Sequence, residues 1–479
     1  MRLKLLCIIL SFISLHATAR QYKPRIEPGE CKVKADSTLI TRCGYLIVPE
    51  NRQKPNGKSI KLAFMFVRKQ DADPRKNVTL MCTGGPGYST LNNFRNIPAS
   101  AGFLKYGGFI MLDQRGTKNS IPCLDCEEVE PAVQRAYKLQ LNADSMRLLA
   151  LSQCRKRLAA KGIDLSSYNT TESAADINDL RKALELDSMY LVGISYSGSL
   201  MLTVAKNHPE AVKALILNSP LPNNVNYEEH ALFLINDALN RVFQNAEEDS
   251  SSNPVYNNLR DRFHRYFTEI TGKKFRMDYR DGKTGEQFPV RFSKQELLDA
   301  VIDRLDSRQV KDVPAVMLDI INGRHARYVR ERLDQIFAGN NGLSYGMRLS
   351  MYCPLQIAFS DPATVKEQEK VLPWFAGYGF NNVDKKICDC WKVKPEAASA
   401  KLPLYSNLPV LISEGDIDPY CPPFYGRLIQ QTLPNAQILI FRNRGHVPGV
   451  KYDGVDFLDM FMRDHYKKLV SPVKEVRVE

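Results

Sequence analysis

Three residues of this 479-residue sequence have the types, flanks and chain order that nucleophilic acyl transfer needs: Ser195, Asp418 and His446. Ser195 lies in Leu191-Val192-Gly193-Ile194-Ser195-Tyr196-Ser197-Gly198, after an apolar run and ahead of a helical pattern. A sharp strand-to-helix turn at that point holds a serine hydroxyl clear of the sheet's carboxyl edge, and small flanking residues let strand and helix pack closely. Gly193 meets that need, but Ser197 stands where the strict G-x-S-x-G pattern has glycine. Alone, the segment reads equally well as an ordinary Gly/Ser turn. The chain has seven His, and only His446 sits in a Gly-flanked loop just after a late apolar run, Ile438 to Phe441. Asp418 precedes Pro419 after the run Leu408 to Ser413, and is preferred as the acid over Asp416, which faces the turn. Serine, acid and histidine at successive strand ends is the order of one of the known triad architectures.

Cys82-Thr83-Gly84-Gly85-Pro86-Gly87 follows another apolar run. A glycine-rich loop there lets backbone N–H groups approach a developing oxyanion, which assigns the oxyanion hole to the N–H groups of Gly85 and Tyr196. The competing reading is a tight turn. It is not a phosphate loop, because no G-K-[ST] follows. Cys123-x-x-Cys126 has neither a second CxxC nor a nearby His, so it does not read as a zinc site. The chemistry requires no metal and no organic cofactor.

These loops need strands to carry them. Gly44 to Val48 and Ile60 to Val67 read as an antiparallel pair at a sheet edge, and Val78 to Cys82, Phe109 to Leu112, Met189 to Val192 and Ala214 to Leu217 as short buried strands. They alternate with helical patterns at Ser173 to Leu184 and Ser199 to Lys206, which implies a mostly parallel sheet covered on both faces. The alternation stops near Pro222. Residues 223–401 read as a helical cap insertion, with amphipathic stretches at Glu228 to Val242, Lys294 to Leu305 and Val313 to Phe337 and an exposed polar loop at Ala246 to Pro254. It divides an α/β core of residues 20–222 and 402–479, which closes with a helix near Val455 to His465.

Composition sets the remaining bounds. A chain 44% hydrophobic and 9% aromatic has ample material for a large core, so global disorder is excluded, and 27 Gly with 27 Pro without a period excludes repeat arrays. A charge of +13 is spread along the chain without a Lys/Arg block, so no nucleic-acid partner is indicated. Residues 1–19 have a basic start, an apolar stretch from Leu5 to Leu15 and Ala17-Thr18-Ala19, which is the pattern of a cleaved signal peptide. No later apolar run is long enough to insert stably in a membrane. The protein is therefore expected in the periplasm or outside the cell. Ten cysteines remain beyond the leader, and their grouping suggests local disulfides: Cys31 with Cys43, Cys154 with Cys123 or Cys126, and Cys353 with Cys388 or Cys390.

Taken together, Gly84-Gly85-Pro86-Gly87-Tyr88-Ser89, Asp113-Gln114-Arg115-Gly116-Thr117, the Gly193 to Gly198 turn, Asp418-Pro419 with Pro422, and Gly445-His446 resemble the α/β-hydrolase serine peptidases. The likeness is to prolyl aminopeptidase and, more closely, to the secreted tripeptidyl aminopeptidases. The resemblance implies the α/β-hydrolase fold with its helical cap, and peptide substrates carrying a free N-terminus; cysteines 353 and 388/390 look like those of the tripeptidyl branch. Thr83 replaces the family's usual His, and Lys118 its glycine after DQRG. Asp113 and Arg115 are expected to form a buried structural pair. An esterase or lipase on the same fold is the alternative, since the triad handles esters and amides alike. A noncatalytic relative is disfavoured because all three triad residues are present. An aminopeptidase also needs an anionic subsite for the substrate ammonium; the start of the cap offers Glu228, Glu229 and Asp237, among which the sequence does not choose.

Overall fold

Runs of β-branched and aliphatic residues bounded by turns form the backbone of the computed structural model. It describes residues 22–479 apart from 249–252, 306–308, 340–341 and 382. The expected leader, residues 1–19, lies outside the described residues. Ten strands make one sheet: β1 (Arg25–Pro28), β2 (Ile40–Pro49), β3 (Ser59–Arg68), β4 (Thr79–Cys82), β5 (Phe109–Leu112), β6 (Met189–Ile194), β7 (Val212–Asn218), β8 (Val410–Gly415), β9 (Ala436–Phe441) and β10 (Val476–Val478). Their spatial order is β1-β2-β3-β5-β4-β6-β7-β8-β9-β10. The six from β5 to β9 run parallel, and the flanking pairs are antiparallel.

Alternate residues of the parallel strands pack in opposite directions. Leu191, Leu215, Ile412 and Ile438 join one buried layer, which includes Ile177 and Leu180 of the helix Thr170–Ala183. Tyr190, Val192, Ala214, Ile216, Leu411 and Leu439 join the other, against Phe457 and Phe461 of the helix Phe457–Arg463. Both faces are thus dry, which is why these strands read as nearly continuous apolar runs. The predicted antiparallel pair is β2 with β3, but neither is the outermost strand, because β1 pairs outside β2 (Arg25 opposite Ile47). At the other edge β10 pairs with β9 after the last helix, a strand that composition did not signal.

Between β7 and β8 the chain is mainly helical and has its own core, built on Phe243, Phe263, Phe267, Leu297, Met317, Leu333 and Phe375. The expected stretch Val313 to Phe337 is two helices, Val313–Ile321 and Ala326–Ala338, interrupted at Gly323, whose φ is +79°. The expected polar loop is helical at both ends, in Ala231–Glu248 and Asn253–Tyr256. A hairpin, Phe275–Arg280 with Gln287–Phe292, also lies here. Its exposure alternates along the second strand, so the period of two was present in the sequence but embedded among helices.

Disulfides join Cys31 to Cys43, Cys126 to Cys154 and Cys353 to Cys388. Cys82, Cys123, Cys390 and Cys421 are free thiols. Among the described residues no helix is long and apolar enough to cross a membrane.

Candidate active site

Ser195 occupies the turn between β6 and the helix Tyr196–Asn207, with φ 56° and ψ −124°. A non-glycine residue held there stores backbone strain, which the surrounding bonds must hold in place. The Ser195 N–H donates to the Asn218 carbonyl at 2.9 Å, and its own carbonyl accepts from Gly198 at 2.9 Å and Leu221 at 3.2 Å. Strand and helix come so close that a Cβ on Gly193 would lie 2.6 Å from the Ser197 carbonyl oxygen. Ser197, fully buried, takes advantage of the same closeness. Its hydroxyl donates to the Cys82 carbonyl at 2.6 Å and accepts from the Ile194 N–H at 2.7 Å, tying the turn to β4. The departure from the strict motif is therefore a latch. Ser197→Ala should cost about 1–3 kcal/mol of stability by leaving buried backbone groups unpaired, yet retain labelling by a fluorophosphonate. Denaturant unfolding and labelling check this; a folded variant that no longer labels would move the nucleophile to Ser197.

The glycine-rich loop passes directly over the serine: a Cβ on Gly84 would sit 2.7 Å from the Ser195 Cβ. Gly85 has φ +117°, a conformation L side chains rarely adopt, and the Tyr196 N–H opens a helix and so has no intrahelical acceptor. The loop is held from beneath. Asp113 accepts from the Ser89 hydroxyl at 2.8 Å, the Leu91 N–H at 3.0 Å and Asn119 Nδ2 at 2.8 Å, while Gln114 Nε2 donates to the Thr83 carbonyl at 3.2 Å. Asp113 and Arg115 are both fully buried, but they do not pair with each other. Arg115 turns to Asp176, at 2.7 Å through Nε, and to the carbonyls of Glu50 and Ser167, because the helix Thr170–Ala183 presents a carboxylate there. Asp113 braces the loop, whereas Arg115 braces the helix behind it.

Asp418 and His446 come from the loops after β8 and β9. Asp418 Oδ2 lies 2.8 Å from His446 Nδ1, and Oδ1 accepts from the N–H groups of Tyr420 at 2.8 Å and Cys421 at 2.9 Å. The Tyr420 ring meets the imidazole edge-to-face with centroids 5.0 Å apart. The Val447 N–H donates to Ser219 Oγ at 2.9 Å, which ties the histidine loop to the end of β7. The Cys421 thiol lies within hydrogen-bonding reach of Ser195, so the acid's turn also abuts the serine. Asp416 serves a different purpose: its Oδ1 accepts from the Asn443 N–H at 2.7 Å, joining the two loops.

A family model of the alpha/beta hydrolase fold matches residues 77–450. This chain belongs to the α/β-hydrolase family. The tripeptidyl aminopeptidase of Streptomyces coelicolor is 26% identical to this α/β-hydrolase over 212 residues, which are 42% of this chain and 39% of that protein. The serine protease Hip1 of Mycobacterium tuberculosis is 23% identical over 192 residues, 38% of this chain and 36% of its own. The match thus spans about two-fifths of each curated relative's length. The resemblance read from the sequence motifs is found again in these two proteins. Among solved structures, an esterase from Exiguobacterium antarcticum aligns with 85% of the chain at 14% identity and a TM-score of 0.34.

The three acidic residues at the start of the cap differ sharply in setting. Asp237 is exposed, and Glu229 accepts from the Asp361 N–H at 2.6 Å. Glu228 is half-buried, and its Oε1 accepts from the Tyr352 hydroxyl at 2.6 Å and Asn381 Nδ2 at 3.1 Å. Burial pushes its carboxyl above the usual glutamate range, against the pull of Tyr352, Asn381 and Arg348. The buried hydroxyls of Tyr227 and Tyr425 have no hydrogen-bond partner and interact with both Glu228 and Cys421. No local motif in this α/β-hydrolase announces the cluster, because Glu228, Tyr352, Asn381 and Tyr425 are scattered over two hundred residues of sequence.

Proposed function

We propose that the protein is an exported serine aminopeptidase that releases N-terminal residues or short peptides through Ser195, His446 and Asp418. His446 takes the Ser195 proton as the oxygen attacks the scissile carbonyl, and Asp418 orients the ring and stabilises the imidazolium. The N–H groups of Gly85 and Tyr196 hold the oxyanion. His446 then returns the proton to the leaving amine, and water hydrolyses the acyl-enzyme by the same route. The order of the two halves follows from the single base: the proton removed from serine is the one the amine receives.

The observation that carries the aminopeptidase reading over the esterase one is Glu228. A carboxylate set among the unpartnered hydroxyls of Tyr227 and Tyr425, which also face Cys421 beside the nucleophile, suits an ammonium group and has no purpose toward a neutral acyl ester. The names of the two relatives support peptidase chemistry. The leader pattern and the disulfides support export, and the proposed domains are the core, residues 20–222 and 402–479, with its cap, 223–401.

N-acetylating a good peptide substrate should lower kcat/KM by roughly 30-fold or more, since losing one partner of a desolvated charge pair costs about 2–5 kcal/mol. Glu228→Gln should bring the free-amine substrate down to the same level. The carboxyl must be ionised to hold an ammonium. With its pKa raised, KM for free-amine substrates should climb toward acid before an ordinary carboxylate would titrate, and Glu228→Gln should erase that climb. KM against pH for both substrates checks this. Equal cleavage of free and acetylated peptides would leave an esterase or endopeptidase.

A further inference from the structure

The cap grips the oxyanion loop at two carbonyl oxygens. The Ser344 N–H donates to Gly87 at 3.0 Å, and the Arg348 guanidinium donates through Nη1 to Gly85. Both donors lie at the start of one cap helix, Tyr345–Leu355. The same guanidinium donates through Nη2 to Asn381 Oδ1 at 2.6 Å and stands 5.5 Å over the Tyr352 ring. Asn381 Nδ2 in turn donates to Tyr352 Oη at 2.7 Å and to Glu228 Oε1 at 3.1 Å. One guanidinium and one amide therefore join Gly85 to Glu228.

Gly85 is the one oxyanion donor whose backbone has no side chain to steady it, and at φ +117° glycine can rotate where other residues cannot. The Gly85 N–H lies in the peptide plane shared with Gly84, and its carbonyl in the next plane; the two planes meet at the Gly85 Cα, so rotation about that Cα shifts the N–H relative to the serine. A charge-assisted bond to the carbonyl resists that rotation. We infer that Arg348 is a positioning residue: it holds the Gly85 N–H on the oxyanion site and links that alignment to binding of a substrate cation at the Glu228 carboxylate. The second half rests on the aminopeptidase reading; the first does not. A substrate ammonium drawn to Glu228 competes with Asn381 for that carboxylate, and Asn381 is the guanidinium's other anchor. A cation at Glu228 thus alters how tightly Arg348 can hold the loop, which places the effect in kcat.

The test uses Arg348→Met and Arg348→Lys with two substrates: a short acyl p-nitrophenyl ester, which carries no ammonium, and a free-amine peptide amide. Arg348→Met should lower kcat on the ester roughly 10- to 100-fold with KM unchanged, less than the roughly 10²- to 10³-fold lost when an oxyanion donor is removed outright. Arg348→Lys should recover only part, since one ammonium cannot reach both Gly85 and Asn381 as a fork does. An unchanged ester kcat in folded Arg348→Met overturns the positioning role. The acetylation penalty on peptides should shrink in Arg348→Met; an equal penalty in wild type and variant overturns the link to Glu228. If Arg348→Met fails to fold, Asn381→Ala replaces it, and must lower ester kcat at constant KM for the inference to stand. A wild type that cleaves free and acetylated peptides equally would overturn the aminopeptidase reading and the linked half, while the ester result would still decide the positioning half.

Discussion

Ser195→Ala is expected to lower kcat by about 10⁶-fold and to abolish fluorophosphonate labelling, with melting behaviour unchanged. The hydroxyl is half-exposed at the end of β6, under the Gly84–Gly85 loop, and removing it leaves no other serine able to take its place. Ser197 is committed to Cys82 and Ile194, and Ser199, equally buried, donates to Asn223 Oδ1. The backbone at position 195 is held through its N–H by Asn218 and through its carbonyl by Gly198 and Leu221, bonds that alanine keeps, so alanine should adopt the same strained turn. Active-site titration with a fluorophosphonate, read beside thermal melting, separates loss of the nucleophile from loss of the fold. Labelling retained in folded Ser195→Ala would transfer the chemistry elsewhere.

What the sequence made legible was what neighbouring residues decide together. The central strands were readable because both faces of a parallel sheet are dry, so Leu191, Val192, Leu215 and Ile216 are apolar without interruption. The loops after β6, β8 and β9 were readable because each follows its strand within a few residues, and the structure brings Asp418 and His446 together while Asp416 bonds to Asn443 instead. Local rules failed where distant segments decide. Asp113 and Arg115 are neighbours of opposite charge, yet Asp176, sixty residues on, claims the arginine. The edge strands β1 and β10 are too short and too exposed to show a period. Among Glu228, Glu229 and Asp237 the choice depended on Tyr352 and Asn381, which no spacing connects to them.

Asp418→Asn should lower kcat by about 10⁴-fold, whereas Asp416→Asn should change it only a few-fold. The difference follows from which oxygens are already taken. Asp418 Oδ1 accepts two backbone N–H groups, from Tyr420 and Cys421, and these donors would hold the carbonyl oxygen of an asparagine in the same place. Its amide nitrogen would then occupy the Oδ2 position, 2.8 Å from His446 Nδ1. A donor there forces Nδ1 to accept, so the ring proton moves to Nε2, the nitrogen that must be bare to receive the Ser195 proton. The variant is therefore a correctly folded enzyme whose base is in the wrong tautomer, with its imidazolium no longer stabilised. Asp416 makes its bond to the Asn443 N–H through an oxygen that asparagine retains, so Asp416→Asn keeps the brace between the two loops. Steady-state kinetics on a peptide amide and on an activated ester should give the same ranking, because both substrates need the same base. A reversed ranking, with Asp416→Asn the crippled variant, would move the catalytic acid by two residues and require His446 to turn toward it.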